Sequence, residues 1–367
     1  MGKLLSRVTL PGTLSQVRHV TPVRPREATG LVTRVYAQVE RDFGMLAPPM
    51  LLHSPAPEAL AASWSILRES LLAGGLVARP VREAAATAVS LGNACPYCVD
   101  VHSATMDGLV PGRQAAGIVS GGVEAVTDPV VGRVAAWARA SGTRESAARH
   151  EAPLTAEQSR ELAGVAVTFH YLNRMVNVFL GESPLPPEVP ARARGPLMRL
   201  FGLIMRPAAR RAGTPGTSVA LLPAAPLPEE LSWADGSPHL AGAFSRAAAA
   251  IDAAGRRSVP DPVRELVAAE LAAWNGEPTG PSRAWAARAV SGLPAAQRPA
   301  GRLALLTAMA SYQIDGPVVE EFRSGTPGDR ELVELTSWAA MAAARRIGGW
   351  IRTGAAERRE SGMNSPK

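Results

Sequence analysis

Both cysteines of this 367-residue chain, Cys95 and Cys98, fall within the decapeptide NACPYCVDVH (93–102), which closes on one of only six histidines, His102. Two thiols three positions apart can cycle between dithiol and disulfide. With a histidine they can also ligate a metal, or they can pack as inert core residues. Two cysteines cannot build a disulfide framework, so the pair reads as redox or metal chemistry. A zinc site would take Cys95, Cys98 and His102 but needs a fourth ligand, and the chain holds no third cysteine. A buried structural pair stays open beside it. Redox chemistry accounts best for two thiols with a base beside them.

The elements that must position these groups are legible nearby. Pro96 suits the first turn of a helix, where its missing N–H costs nothing. That makes Cys95 the N-cap and puts Cys98 at the third helical position. The helix dipole favours a thiolate there by roughly 0.3–1 kcal/mol, which lowers a thiol pKa by less than about one unit. A nucleophile at neutral pH needs more. His102 lies four residues beyond Cys98, on the same helix face, and can take the proton directly or through water. The expectation is a Cys98 nucleophile with its pKa brought towards neutrality, and Cys95 near enough to close a disulfide. Glu83 lies upstream on the preceding predicted helix, and the short turn LGNA (91–94) can return it to orient His102.

Apolar residues make up 46% of the chain and aromatics only 5%, with alanine, leucine and arginine abundant. That composition favours helices over strands. Helical periodicity is strong over 58–75, 157–181 and 331–351, the second apolar on most sides and so buried. His170 on it reads as a satisfied core residue, while His19, His53, His150 and His239 have no partners in the motif. Alternating patterns are scarce, TSVALLP (217–223) being the best strand candidate. The fold class is all-α.

The net charge is +7, but the basic excess lies in a leader and in a Pro/Arg-rich linker. Between Val189 and Pro228 there are six arginines and no acidic residue. No stacking aromatics are interleaved with them, which speaks against nucleic acid. Inside the linker, LMRLFGLIMR places Leu197, Leu200, Phe201 and Ile204 at helical spacing. A membrane-surface helix and a connecting helix packed on a domain both fit, the second better. Pro196 and Pro207 leave it only some three turns. No apolar run is long enough for a membrane span and no signal peptide is evident, so the expected location is cytoplasmic. MGKLLS fits a six-letter myristoylation pattern that chance supplies easily.

The halves can be laid over one another. PVREAAATAVSLGNACP (80–96) matches PVRELVAAELAAWNGEP (262–278) without a gap. Gly132 and Arg133 then match Gly301 and Arg302, and REL at 160–162 matches REL at 330–332. The first half carries extra residues near SGGVEAVTDP (120–129). Three matches in one order indicate internal duplication. In the second half Glu265, Asn275 and Pro278 persist, whereas Cys95, Cys98 and His102 become Glu277, Gly280 and Ala284. The expected organisation is a basic leader (1–29), an active helical repeat (30–182), a linker (183–230), a degenerate repeat (231–353) and a flexible tail (354–367). Two similar helical units with the linker laid over them are expected.

Glu-x11-Cys-x2-Cys-x3-His, present as Glu83, Cys95, Cys98 and His102, resembles the signature of the AhpD-like alkylhydroperoxidases of the carboxymuconolactone decarboxylase superfamily. The surrounding VSLGNACPYCVDVHSA resembles that family too, over residues 58–110, while Tyr97 stands where some members carry a histidine. The resemblance implies an all-helical fold and a peroxiredoxin-type antioxidant oxidoreductase that reduces peroxides through its dithiol and a proton relay. It implies no tightly bound cofactor. An external dithiol or reductase restores the thiols, and in the family a lipoyl-bearing protein can serve. The rival functions are a disulfide oxidoreductase acting on a protein partner and a non-enzymatic redox-sensing module. Homo-oligomerisation stays open.

Overall fold

The computed structural model describes residues 2–110, 114–120, 126–146 and 154–363, with side chains between 9 and 351. His150 and part of the 120–129 loop lie outside the described residues. The helices of the first half are α1 (Gly2–Ser15), α2 (Gly30–Asp42), α3 (Pro48–Leu51), α4 (Pro57–Leu67), α5 (Arg79–Gly92), α6 (Pro96–Leu109), α7 (Gln114–Val119), α8 (Pro129–Ala140) and α9 (Ala156–Phe179). After the linker helix α10 (Ala191–Ala209) come α11 (Pro238–Ser258), α12 (Asp261–Ala273), α13 (Ala284–Ala289), α14 (Arg298–Met309), α15 (Gly316–Arg323) and α16 (Asp329–Met363). Among the described residues there is no strand, and the β-bridge between Ala73 and Gly213 is isolated. The protein is all-α.

Starts of these helices are written locally. Proline occupies the first or second position of α4, α5, α6, α8, α11, α12 and α14, where it completes a turn at no hydrogen-bond cost. Asp128 caps α8 by accepting from the Val130 and Val131 N–H groups. Thr155 and Gln158 form a capping box at the start of α9. α9 is buried from Leu162 to Val176 without a break. It packs on α5 and α16, and α4 packs on α11, so both halves share one core. The matched segments lie on α5 and α12, on α8 and α14, and on α9 and α16.

Two local expectations are corrected. TSVALLP forms no strand; Val219–Leu221 is a 3-10 turn. The buried Glu69 carboxylate accepts from the Gly216 N–H at 2.7 Å and from the Ser218 N–H and hydroxyl at 3.1 and 2.6 Å, which curls the segment. The linker helix is also longer than its prolines suggest: α10 spans 19 residues with Pro196 and Pro207 inside. An interior proline costs about 3 kcal/mol, and close docking on α6 offsets it. A Cβ on Gly202 would lie 2.1 Å from the Ala104 carbonyl oxygen, and one on Gly108 2.4 Å from that of Gly202. The two backbones therefore touch.

Candidate active site

The turn between α5 and α6 sets the thiols. Asn93 ends α5, and Ala94 adopts a left-handed φ of 49°. The Ala94 N–H donates to Leu91 O and the Cys95 N–H to Ser90 O, at 3.2 and 3.0 Å. This is a Schellman closure with alanine at the position glycine usually takes. Cys95 becomes the N-cap of α6, Pro96 its first residue and Cys98 its third. Both thiols are free and buried, with Cys95 Sγ 2.8 Å from Cys98 Sγ.

Glu83 and His102 meet behind the thiols. His102 Nδ1 lies 2.6 Å from Glu83 Oε2, and Arg79 Nε donates to Glu83 Oε1 at 2.6 Å. Burial by itself would raise the fully buried Glu83 carboxyl, but Arg79 and His102 outweigh it and hold its pKa at about 2. The carboxylate is therefore ionised, so Nδ1 carries the proton and donates. His102 Nε2 has no protein partner among the described residues. The imidazole stands edge-on to Phe169, with ring centroids 4.6 Å apart. No direct hydrogen bond joins it to either thiol, although Cys98 and His102 line the same cavity.

That cavity measures about 1030 Å³. Its walls are largely apolar, with Phe43, Met50, Trp64, Phe169, Leu172 and Phe201 among them, and Arg18, Glu182, Glu188 and Arg194 add charge. Cys98 lines it; Cys95 does not. Tyr97 also lines it, donating its hydroxyl to Gln16 Oε1 at 2.9 Å.

The electrostatics differ from the expectation for Cys98. Burial, then the adjacent Cys95, push its thiol well above the usual range, and a hydrogen bond from Asn173 only partly opposes them. Removing a thiolate from water costs more than the helix dipole returns. The Cys98 thiol is thus held towards its protonated form, because the site is drier than helix dipole and spacing alone imply.

Three supporting residues escaped the sequence. Arg79 carried a signal, since it stands at i−4 from Glu83, the spacing of a helical ion pair. Asn173 and Gln16 carried none, because they arrive from α9 and from the segment after α1. The Asn173 side chain donates to Ser90 Oγ at 3.0 Å and accepts from Asn93 at 2.9 Å. His170 is fully occupied as a core residue, held by the Asn93 amide and Ser141 Oγ at 3.1 and 2.9 Å. His53 is buried with partners of its own, the Pro49 carbonyl and the Tyr171 hydroxyl. Among the described residues, no group of three or more His, Cys, Asp and Glu side chains is arranged to hold a metal ion.

An alkyl hydroperoxide reductase of Mycobacterium tuberculosis is 38% identical to this chain over 335 residues, which cover 91% of this chain and 95% of that one. The chain belongs to the AhpD-like alkyl hydroperoxide reductases. No family model and no solved structure matches it. Membership makes it an oxidoreductase of the alkylhydroperoxidase type, in agreement with the helical architecture and the contacting Cys95 and Cys98. Among the described residues, no helix of this reductase is long and apolar enough to cross a membrane.

Proposed function

We propose that the protein is a thiol-dependent peroxidase that reduces hydrogen peroxide or organic hydroperoxides through a Cys95/Cys98 cycle. One observation carries this reading. Cys98 lines the cavity together with His102, while Cys95 touches Cys98 from outside the cavity wall. The name of the M. tuberculosis relative supports the substrate class. A largely apolar cavity of about 1030 Å³ favours organic hydroperoxides, since hydrogen peroxide needs no apolar wall.

In this mechanism the Cys98 proton passes to His102 Nε2, and the thiolate attacks the terminal peroxide oxygen. The S–O bond forms as the O–O bond breaks. The electron pair leaves on the alkoxide, which takes its proton from the imidazolium. Ionised Glu83, held by Arg79, stabilises that imidazolium. The Cys95 sulfur then attacks the sulfenic acid, an S–S bond forms and water leaves with the Cys95 proton. An external dithiol supplies two electrons and two protons to reset the pair; the family resemblance suggests a lipoyl group on a carrier protein. The raised Cys98 pKa makes the base obligatory, because little thiolate exists before proton transfer.

The test is consumption of cumene hydroperoxide with excess dihydrolipoamide. Cys98→Ser is expected to abolish it and leave no trappable sulfenic acid. Cys95→Ser is expected to react once and stall as a sulfenic acid that dimedone captures. The opposite pattern would exchange the two roles. Consumption of a single equivalent by the intact protein, with donor still in excess, would indicate a sensor and end the enzymatic reading.

A further inference from the structure

α10 has two unlike faces. Towards α6 it buries Gly202, Met205 and Ala209. Away from it stand Leu197, Leu200, Leu203 and Ile204, exposed by 38, 52, 56 and 48%. Among the described residues these are four of the seven exposed large hydrophobics, so one helix carries most of the protein's misplaced apolar surface. The spacing 197, 200, 204, with 203 beside 200, makes them a single stripe, and exposed Pro196 and Pro207 extend it. Such a continuous apolar patch marks a surface that something else covers.

The border of the stripe says what. Arg192, Arg199, Arg210 and Arg211 are all exposed, and among the described residues none has a carboxylate partner. The chain supplies no acidic residue between Val189 and Pro228 to neutralise them. A second copy meeting this face about a two-fold axis would bring two sets of unpaired arginines together. A lipid surface does the reverse. Apolar side chains enter the acyl boundary while guanidinium groups remain at the level of the phosphates, which accept their hydrogen bonds.

We propose that the outward face of α10 docks the protein on an anionic lipid leaflet. The helix lies in the plane of the interface and does not span it. Met198, on its far side, and Phe201, at the flank of the stripe, line the cavity at Cys98, so docking sets a cavity wall beside the source of acyl chains. The docking stands independently of the peroxidase reading, because it is read as binding and needs no turnover.

The experiment is co-sedimentation of the full chain with phosphatidylcholine vesicles, alone or with about 30% phosphatidylglycerol. Pelleting is expected with the anionic vesicles, and at least about tenfold less with neutral ones or at about 0.5 M salt. The double variant Leu200→Glu/Leu203→Glu is expected to lose binding with its helical circular dichroism intact. Tyr312→Glu, at an exposed side chain of the second half between α14 and α15, is expected to bind as the wild type does. Three results would overturn the proposal: no binding to anionic vesicles, equal binding by the double variant, or a self-association that the double variant abolishes.

Discussion

α5 and α12 open on the same tetrapeptide, Pro-Val-Arg-Glu, at 80–83 and 262–265, and put it to different uses. The arginines act alike. Arg82 donates to the Ala73 carbonyl at 2.6 Å and Arg264 to the Val259 carbonyl at 2.8 Å, each tying down the chain that leads into its helix. The glutamates do not. Glu83 is sealed between Arg79 and His102, whereas Glu265 is exposed. α5 is buried from Arg82 to Ser90 because α6, α8 and α9 surround it. α12 buries only Val263, Val267 and Leu271, the single stripe that α14 and α16 cover. The next element explains the contrast. α6 has 14 residues and lies along α5; α13 has six and packs on α14. A carboxylate in a repeated motif thus becomes a buried partner only where a second helix closes over it. We propose that the two regions arose by duplication, and that the second lost its cover and its reactive side chains together.

Neutralising each glutamate in turn should separate the two helices. Glu83→Gln is expected to cost about 3 kcal/mol in urea unfolding and about 10²-fold in peroxide consumption. Glu265→Gln is expected to stay within about 0.5 kcal/mol of wild type. Equal losses would mean that the covering helix is irrelevant.

The same contrast has a pH signature. The folded pKa of Glu83 is depressed to about 2 from a usual 4.5. Its contribution to stability is therefore complete above pH 4.5 and lost as pH falls towards 2. Unfolding curves of wild type and Glu83→Gln should converge across that window, by at most roughly 3 kcal/mol. A constant gap between them would show that the carboxylate is not held ionised by its partners.

The turns that follow the two helices also differ. Ala94 and Gly276 are matched in sequence, and both are left-handed, with φ of 49° and 94°. A Cβ on Gly276 would lie 1.9 Å from the Gly142 carbonyl oxygen, and Arg144 N–H donates to Asn275 O at 2.8 Å beside it. Gly276→Ala should therefore lower stability by about 2 kcal/mol in thermal or urea melts. Ala94→Gly should be nearly silent. Relief of an alanine's left-handed cost of about 1 kcal/mol is offset by a glycine's extra unfolded-state entropy of about 0.5–1 kcal/mol. A loss above about 1 kcal/mol on Ala94→Gly would show that the Ala94 methyl is itself a packing contact.

Features set by neighbours a few residues away are legible in the chain itself. Pro96 after Cys95 fixes the start of α6, so the N-cap role of Cys95 and the third-position placement of Cys98 could be read directly. The i+4 spacing of Cys98 and His102 and the short turn after α5 were equally local, and the long apolar helix α9 announced its own burial. The remaining features depend on partners brought from far along the chain. Asn173 reaches Cys98 from α9, and Phe169 stands against His102. Gln16 meets Tyr97 from near the N-terminus, and α10 continues past Pro196 because Gly202 fits against Ala104 and Gly108. Burial by these elements reverses the expected shift of the Cys98 pKa. Dipole and spacing are properties of one helix, but the desolvation that outweighs them belongs to the whole assembly around it.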